Sequence, residues 1–222
     1  MNIVLTTYNR YSYLKRSLTS LFKTQFENDT LWAYDDGSRE DPRTTELLKN
    51  LKDKDNLTIK VKLSPVHLGC DYRVYNSVMN TLEHTDDKFI FLLDSDGIYN
   101  PRWLNLVKTE LEELNDESVA ALSIFNSPSH DTLDEYNKEL NAKRSVGGFA
   151  VALNREVFEK LNPNLVLPNH SGFSWDWQLI DIANEMNYKL LCTKSSYAQH
   201  VGVSGIHSNS TLYDKAEDFV GE

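Results

Sequence analysis

"KFIFLLDSDGIYNP", Lys88 to Pro101, decides the fold. Five apolar residues, Phe89 to Leu93, run without a break and are too few for a buried helix, so the stretch predicts a strand covered on both faces. It stops at Asp94, Ser95 and Asp96. In open α/β sheets ligands bind outside the carboxyl ends of the strands, so polar residues at such an end are candidates for a site. Two carboxylates this close repel, and burial raises their pKa unless a cation joins them. A hard divalent ion such as Mg²⁺ or Mn²⁺, with oxygen ligands and a phosphate, would resolve that cost. A solvated Asp-Gly turn is the plainer reading of the same residues.

Working outward, strand-like and helix-like segments alternate, which predicts an α/β fold with a mixed, mostly parallel sheet. "NIVLT" (2–6), "TLWAY" (30–34), "LTIKVKL" (57–63), "VAALSIF" (119–125), "GGFAVALN" (147–154) and "KLLCT" (189–193) read as further strands. Leu14, Leu18, Leu21 and Phe22 share one helical face, and helices are also expected over 44–51, 72–82 and 175–187. Asn100 is placed to cap a helix whose first position is Pro101, with Leu104, Val107, Leu111 and Leu114 on its apolar face. Residues 128–144 are polar and read as a loop with a helical turn or two, and the tail from Ser208 reads as mobile. There is no repeat or linker. One domain over 1–222 is expected, falling into 1–100 and 101–207 with a tail from 208. Nothing in the sequence distinguishes a whole protein from one domain of a longer chain.

The 222 residues carry a formal charge of −10, which argues against nucleic acid and anionic membranes as partners. No apolar run is long enough to span a membrane, and no signal peptide opens the chain, so a cytoplasmic protein is expected. Cys70 and Cys192 read as buried free thiols, which suits a reducing compartment. A P-loop and a dinucleotide fingerprint are both missing.

Two more strand ends carry polar clusters, "TTYNR" (6–10) and "DDGS" (35–38). Taken in order, "VLTTYNR" (4–10), "AYDDGSRED" (33–41), "HLGCDYRVYNSVMN" (67–80), "FLLDSDGIYNPRWL" (91–104), "GGFAVALNREVFEKL" (147–161) and "WDWQLI" (175–180) resemble the motifs of the GT-A-fold glycosyltransferases of the family-two type. The resemblance covers most of the chain from Ile3 to about His200. It implies a single GT-A domain that moves a sugar from a nucleotide-diphosphate sugar, a UDP-sugar being the first candidate, to a hydroxyl acceptor such as a glycan. It implies that Thr6 and Tyr8 line the base pocket, Arg10 reaches the diphosphate, Asp36 accepts from the base, and Arg73, Asp94 and Ser95 face the nucleotide, Asp94 at the ribose. Asp96 would hold Mn²⁺ or Mg²⁺, with His200 as a late ligand and His207 as a weaker substitute. Gly148 and Trp175 would contact acceptor or donor sugar. Asp176 would be the base of an inverting displacement, and it stands beside Trp175 where the family usually has an acidic pair. "FLLDSDGI" is also similar to the nucleophile motif of haloacid-dehalogenase-type phosphatases, but that reading leaves "TTYNR" and "DDGS" unexplained. A non-catalytic nucleotide-sugar binder is a third reading, one that would not need Asp176.

Overall fold

The structure, a computed structural model, describes residues 1–114, 118–165, 174–203 and 214–221. In the first half, strands and helices alternate: β1 (Asn2–Thr7), α1 (Tyr11–Leu21), β2 (Asp29–Asp35), α2 (Pro42–Lys49), β3 (Leu57–Leu63), α3 (Cys70–Leu82) and β4 (Phe89–Asp94). The second half is less regular. It runs through β5 (Gly97–Tyr99), α4 (Trp103–Leu114), β6 (Val119–Ser123), β7 (Thr132–Glu135), β8 (Leu140–Lys143), β9 (Val151–Asn154), α5 (Arg155–Phe158), α6 (Trp175–Glu185), β10 (Lys189–Thr193) and β11 (Ala198–His200).

Among the described residues the main sheet is mixed, with the order β3-β2-β1-β4-β9-β6-β10-β8-β7. Its parallel block is β3, β2, β1 and β4. Beyond β4 the pairing alternates: β9 runs antiparallel to β4 and β6, β10 is parallel to β6, and β8 and β7 add antiparallel edges. Because β2 and β4 lie on opposite sides of β1, the strand order reverses there. In open α/β sheets such a reversal is where a ligand crevice lies, outside the carboxyl ends of the strands.

The apolar run of β4 is explained by its place between β1 and β9. Ile90, Phe91, Leu92 and Leu93 are fully buried, and alternate side chains feed opposite layers. Phe91 and Leu93 join Leu14, Leu18, Leu21 and Trp103 from α1 and α4. Ile90 and Leu92 join Val74, Val78, Phe158, Trp175 and Leu179 from α3, α5 and α6. Asn100 does cap the turn before α4: its Oδ1 accepts from Arg102 N at 2.8 Å and its carbonyl from Trp103 N at 3.1 Å.

Four expectations are corrected. Residues 128–144 hold a β-hairpin, not helical turns, because β8 completes the sheet beside β10 and buries Leu140. Lys143 disguises this strand; its buried amine is satisfied by the His130 carbonyl at 2.7 Å and Thr132 Oγ1 at 3.0 Å. The glycine pair 147–148 precedes β9 and is not part of it. Cys192 is buried, but Cys70 is exposed at the start of α3. Of the tail expected to be mobile, residues 214–221 are tied down. Ser196 Oγ donates to Asp218, Val220 N to the Ser196 carbonyl, and Asn100 Nδ2 to the Val220 carbonyl. Residues 208–213 and Glu222 lie outside the described residues. No described helix is long and apolar enough to cross a membrane.

Trp103 joins α4 to the underside of β4. It is fully buried, packs tilted against Phe91 with ring centroids 4.4 Å apart, and donates Nε1–H to Thr24 Oγ1 at 2.9 Å. Trp103→Ala should lower the unfolding free energy by about 3–5 kcal/mol, read as a shift of the urea midpoint; a change below about 1 kcal/mol would show that the site is not a packing centre.

Candidate active site

The end of β2 forms the first half of the site. Asp35 shapes the turn, accepting at Oδ2 from Gly37 N at 3.1 Å and Ser38 N at 2.9 Å, and at Oδ1 from Ser38 Oγ. Gly37 has φ +77°, and a Cβ there would meet the Val66 carbonyl carbon at 2.7 Å. Glycine thus lets residues 65–69 lie directly on the turn. Asp36 is buried under that segment. Its Oδ1 accepts from Leu68 N and from Arg73 Nε, both at 2.9 Å; its Oδ2 accepts from Gly69 N at 3.0 Å and pairs with His67 Nδ1 at 2.7 Å. The His67 ring stacks on Tyr8, centroids 3.9 Å apart.

The end of β4 forms the second half and shows why two carboxylates can end a buried strand. Asp94 is the last residue of β4 and Asp96 lies in the turn beyond it, and the two meet different partners. Asp94 Oδ1 accepts from Thr6 Oγ1 at 3.1 Å, and the Asp94 carbonyl accepts from Tyr99 Oη at 2.8 Å. Burial, with the charge of Asp96 added, pushes the Asp94 carboxyl up to about 7. Asp96 Oδ2 instead meets the Arg10 guanidinium and lies 3.3 Å from His200 Nε2. Burial acts to raise this carboxyl too, but the hydrogen bond and charge of His200 and the charge of Arg10 outweigh it and hold the group below its usual range. Conversely, burial acts to lower His200, and Asp96 and Asp94 overcome it and raise the imidazole. The local fold explains the meeting. β11 pairs with β5, placing His200 opposite Gly97, and Val201 N donates to the Asp96 carbonyl at 2.9 Å. Ser95 is buried between the two carboxylates in sequence.

A third group faces the crevice from the second half. Trp175 is buried at the start of α6, and Gly148 allows its approach: a Cβ at Gly148 would meet Trp175 Cζ2 at 2.6 Å. Trp175 N lies 3.4 Å from Asp71 Oδ1, which ties the start of α6 to the start of α3. Asp176, partly exposed in the first turn of α6, accepts from Ser174 Oγ and from Trp177 N. Of the loop "PNHSGFSW" (168–175), only Ser174 and Trp175 are among the described residues, and His207 is not.

All the other residues singled out from the sequence therefore gather at one end of the sheet. Two imidazoles were missed. His67 begins the "HLG" stretch, but nothing in the pattern places its ring on Tyr8. His130 stands over the neighbouring glycine, its Nδ1 2.7 Å from Ser145 Oγ and its Nε2 3.2 Å from where a Gly147 Cβ would sit. It comes from the hairpin region that reads as loop.

As for a metal, the fit rests on the donor set. Asp96 and His200 offer one carboxylate and one imidazole on a shared point, a combination that suits Mn²⁺ and tolerates Mg²⁺ less well. No cluster of three or more His, Cys, Asp or Glu side chains that could hold an ion exists among the described residues. The remaining positions would have to come from ligand oxygens and water. Arg10 now lies where such an ion would contact Asp96 Oδ2.

The fold has solved counterparts. The structure is similar to a mannosyltransferase, PcManGT from Pyrobaculum calidifontis in complex with GDP-Man and Mn²⁺, with TM-score 0.60 and 15% identity over 85% of this chain and 53% of that one. It is also similar to residues 1–349 of TarS from S. aureus in complex with UDP-GlcNAc, with TM-score 0.63 and 17% identity over 96% of this chain and 61% of that one. At such identities the likeness shows the fold, that of the GT-A glycosyltransferases, and the chain spans little more than half the length of these neighbours. No curated protein matches the chain. A sequence model described as "Glycosyl transferase family 2" matches residues 2–181, which sets the phosphatase reading aside. On that match, and with the three strand ends assembled as they are, the chain belongs to glycosyl transferase family 2.

Proposed function

We propose that the protein transfers a sugar from a nucleotide-diphosphate sugar to a hydroxyl acceptor, such as another sugar, with inversion at the anomeric carbon and with Mn²⁺ or Mg²⁺. The observation that carries this reading is the buried carboxylate pair ending β4, with Arg10 and His200 on Asp96, in the same crevice as the Asp36–Arg73 cluster. The neighbours solved with GDP-Man and with UDP-GlcNAc support a nucleotide-sugar donor; a UDP-sugar stays the first to test.

In this reading Tyr8, Thr6, Asp36 and Arg73 take the nucleoside, and Asp94 and Ser95 meet the ribose side. Asp96 and His200 would hold the ion, which supplies positive charge to the departing diphosphate. Arg10 turns from Asp96 to the same phosphates, so one cation replaces another on a buried carboxylate that cannot stand alone. Asp176 takes the proton of the acceptor hydroxyl, a weak acid that needs a positioned base. Gly148, Trp175 and His130 border the acceptor on that side. A single displacement from the face opposite the leaving group inverts the anomeric centre. A non-catalytic binder would keep the donor cluster and have no use for Asp176.

The reading is tested first by screening UDP-, GDP- and TDP-sugars for thermal stabilisation with and without Mn²⁺, then by measuring nucleoside-diphosphate release. Stabilisation by a donor should need the metal, and Asp96→Ala should abolish the metal-dependent part. An equal shift in excess chelator would refute the metal role. Asp176→Asn should lower kcat by roughly 10²–10⁴-fold with donor affinity nearly unchanged, since the base acts in the transition state; near-normal turnover, or a product of retained configuration, would sink the assignment. The pH dependence has a definite sign. Asp94, raised to about 7, and His200, also raised, both hold protons more readily than free side chains do. A cation competes with those protons, so Mn²⁺ affinity should climb by about ten-fold or more between about pH 6 and about pH 8. A flat titration across that window would show that neither group yields a proton to the ion.

A further inference from the structure

His200 stands on a slight support. Its strand, β11, is three residues long and pairs with β5 in a two-stranded sheet separate from the main one. Such a ladder fixes a backbone and leaves several side-chain rotamers open. The backing comes from residues 214–221, which are bonded to β11. Gln199 exchanges two hydrogen bonds with Ala216: its Nε2 donates to the Ala216 carbonyl at 2.9 Å, and its Oε1 accepts from the Ala216 amide at 3.0 Å. Ala216 is buried in the core, so the exchange has a fixed end. Two residues earlier, the Asp214 carbonyl faces His200 Nδ1 at 3.3 Å.

Asp214 is pinned by its own side chain. Its Oδ1 accepts from Ser127 Oγ and, at 3.3 Å, from Ser129 Oγ. Ser127 is buried, and its Oγ accepts from Ser129 N at 3.0 Å, which turns the hydroxyl proton toward Asp214. The side chain thus anchors the residue to the turn before β7, and the backbone presents a carbonyl to the imidazole. A carbonyl oxygen only accepts, so Nδ1 is the nitrogen that carries hydrogen toward it. Nε2 is then the nitrogen turned to Asp96, 3.3 Å from Oδ2. The ring is confined near that atom too, since a Cβ at Gly202 would lie 3.1 Å from Nε2.

A metal-bound imidazole commonly gives its second N–H to a carbonyl or carboxylate, which fixes the tautomer and direction of the ring. We propose that Asp214 is the positioning residue of His200: its carboxylate, held by Ser127 and Ser129, sets its carbonyl on Nδ1 and so aims Nε2 at the point shared with Asp96. In this role Asp214 touches neither ion nor donor and acts through the ring alone. Gln199 serves the same end by holding Ala216. The inference rests on the reading of Asp96 and His200 as ligands of the ion, and it extends that site to a residue 14 positions further along the chain.

Mn²⁺ is titrated into the full chain, alone and with UDP, and the bound ion is read by pulsed EPR, which detects the nitrogen of a coordinated imidazole. Asp214→Ala should weaken Mn²⁺ binding by about ten-fold or more and reduce the nitrogen signal toward that of His200→Ala. Asp214→Asn keeps an Oδ1 that accepts from both serines, so it should restore affinity to within about three-fold of the wild type. Gln199→Ala, which releases Ala216, should act in the same direction as Asp214→Ala. Melting curves show whether each variant stays folded; if Asp214→Ala does not, Gln199→Ala decides. Unchanged affinity and nitrogen signal in either folded alanine variant would overturn the proposal. So would an Asp214→Asn as weak as Asp214→Ala, because the carboxylate charge would then act on the ion directly. If the wild type binds Mn²⁺ without a nitrogen signal, His200 is no ligand and the inference falls while the rest of the donor reading stands. If Mn²⁺ binds in neither condition, the metal reading itself fails and takes the inference with it.

Discussion

The carboxylate of Asp36 is the interaction on which the donor end of the molecule depends. A buried charge is costly unless it is paired and hydrogen-bonded, and Asp36 is both, through Arg73, His67 and two amides. Those bonds join the end of β2 to the 65–69 segment and to the first turns of α3. Leu68 and Gly69, which lead into that helix, would otherwise have no reason to bend over the turn. The same segment carries the ring that covers Tyr8. One side chain thus sets the separation of β2 from α3, the placement of Arg73 and the floor of the base subsite.

The Asp94–Asp96 pair is the opposite case, a cluster the chain leaves unfinished. Asp36 meets four donors from the protein and is held still by them. Asp94, buried beside a second carboxylate, has a hydroxyl from Thr6 and is driven to hold a proton near neutrality. Asp96 keeps its charge through Arg10 and His200, both carried by segments that approach from outside the sheet. A saturated carboxylate organises a fold, and an under-saturated pair accepts a ligand cation. The two sit at the ends of strands that flank β1.

Much of the donor half was legible in the sequence because its elements obey one rule each. The unbroken apolar run of β4 means burial on both faces, and the 3.6-residue spacing of Leu14, Leu18 and Leu21 means a helix on a sheet. The parallel register then sets Thr6 beside Tyr34 and Asp94, with Asp36 and Asp96 each two residues beyond those partners. The 128–144 hairpin was not legible, because an edge strand such as β7 needs only backbone pairing and is exposed throughout. Lys143 hid β8 for a related reason: a buried amine reads as a surface residue until its acceptors are found in space. The roles of His67 and His130 depend on rings meeting partners far along the chain, and no spacing rule encodes such contacts.

This contrast between the halves has a physical cause. The Asp36 cluster and the Asp94–Asp96 pair are fixed to the strand ends of a parallel block. On the other side, β9 reverses the sheet direction and irregular segments take over. There the glycine pair admits His130 and Trp175 side by side, and Asp176 is anchored by Ser174 and the amide of Trp177 instead of by a salt bridge. A carboxylate held that lightly keeps lone pairs for a hydroxyl proton, which a saturated group like Asp36 does not. The chemistry of the two aspartates follows from how many donors the fold gives each of them.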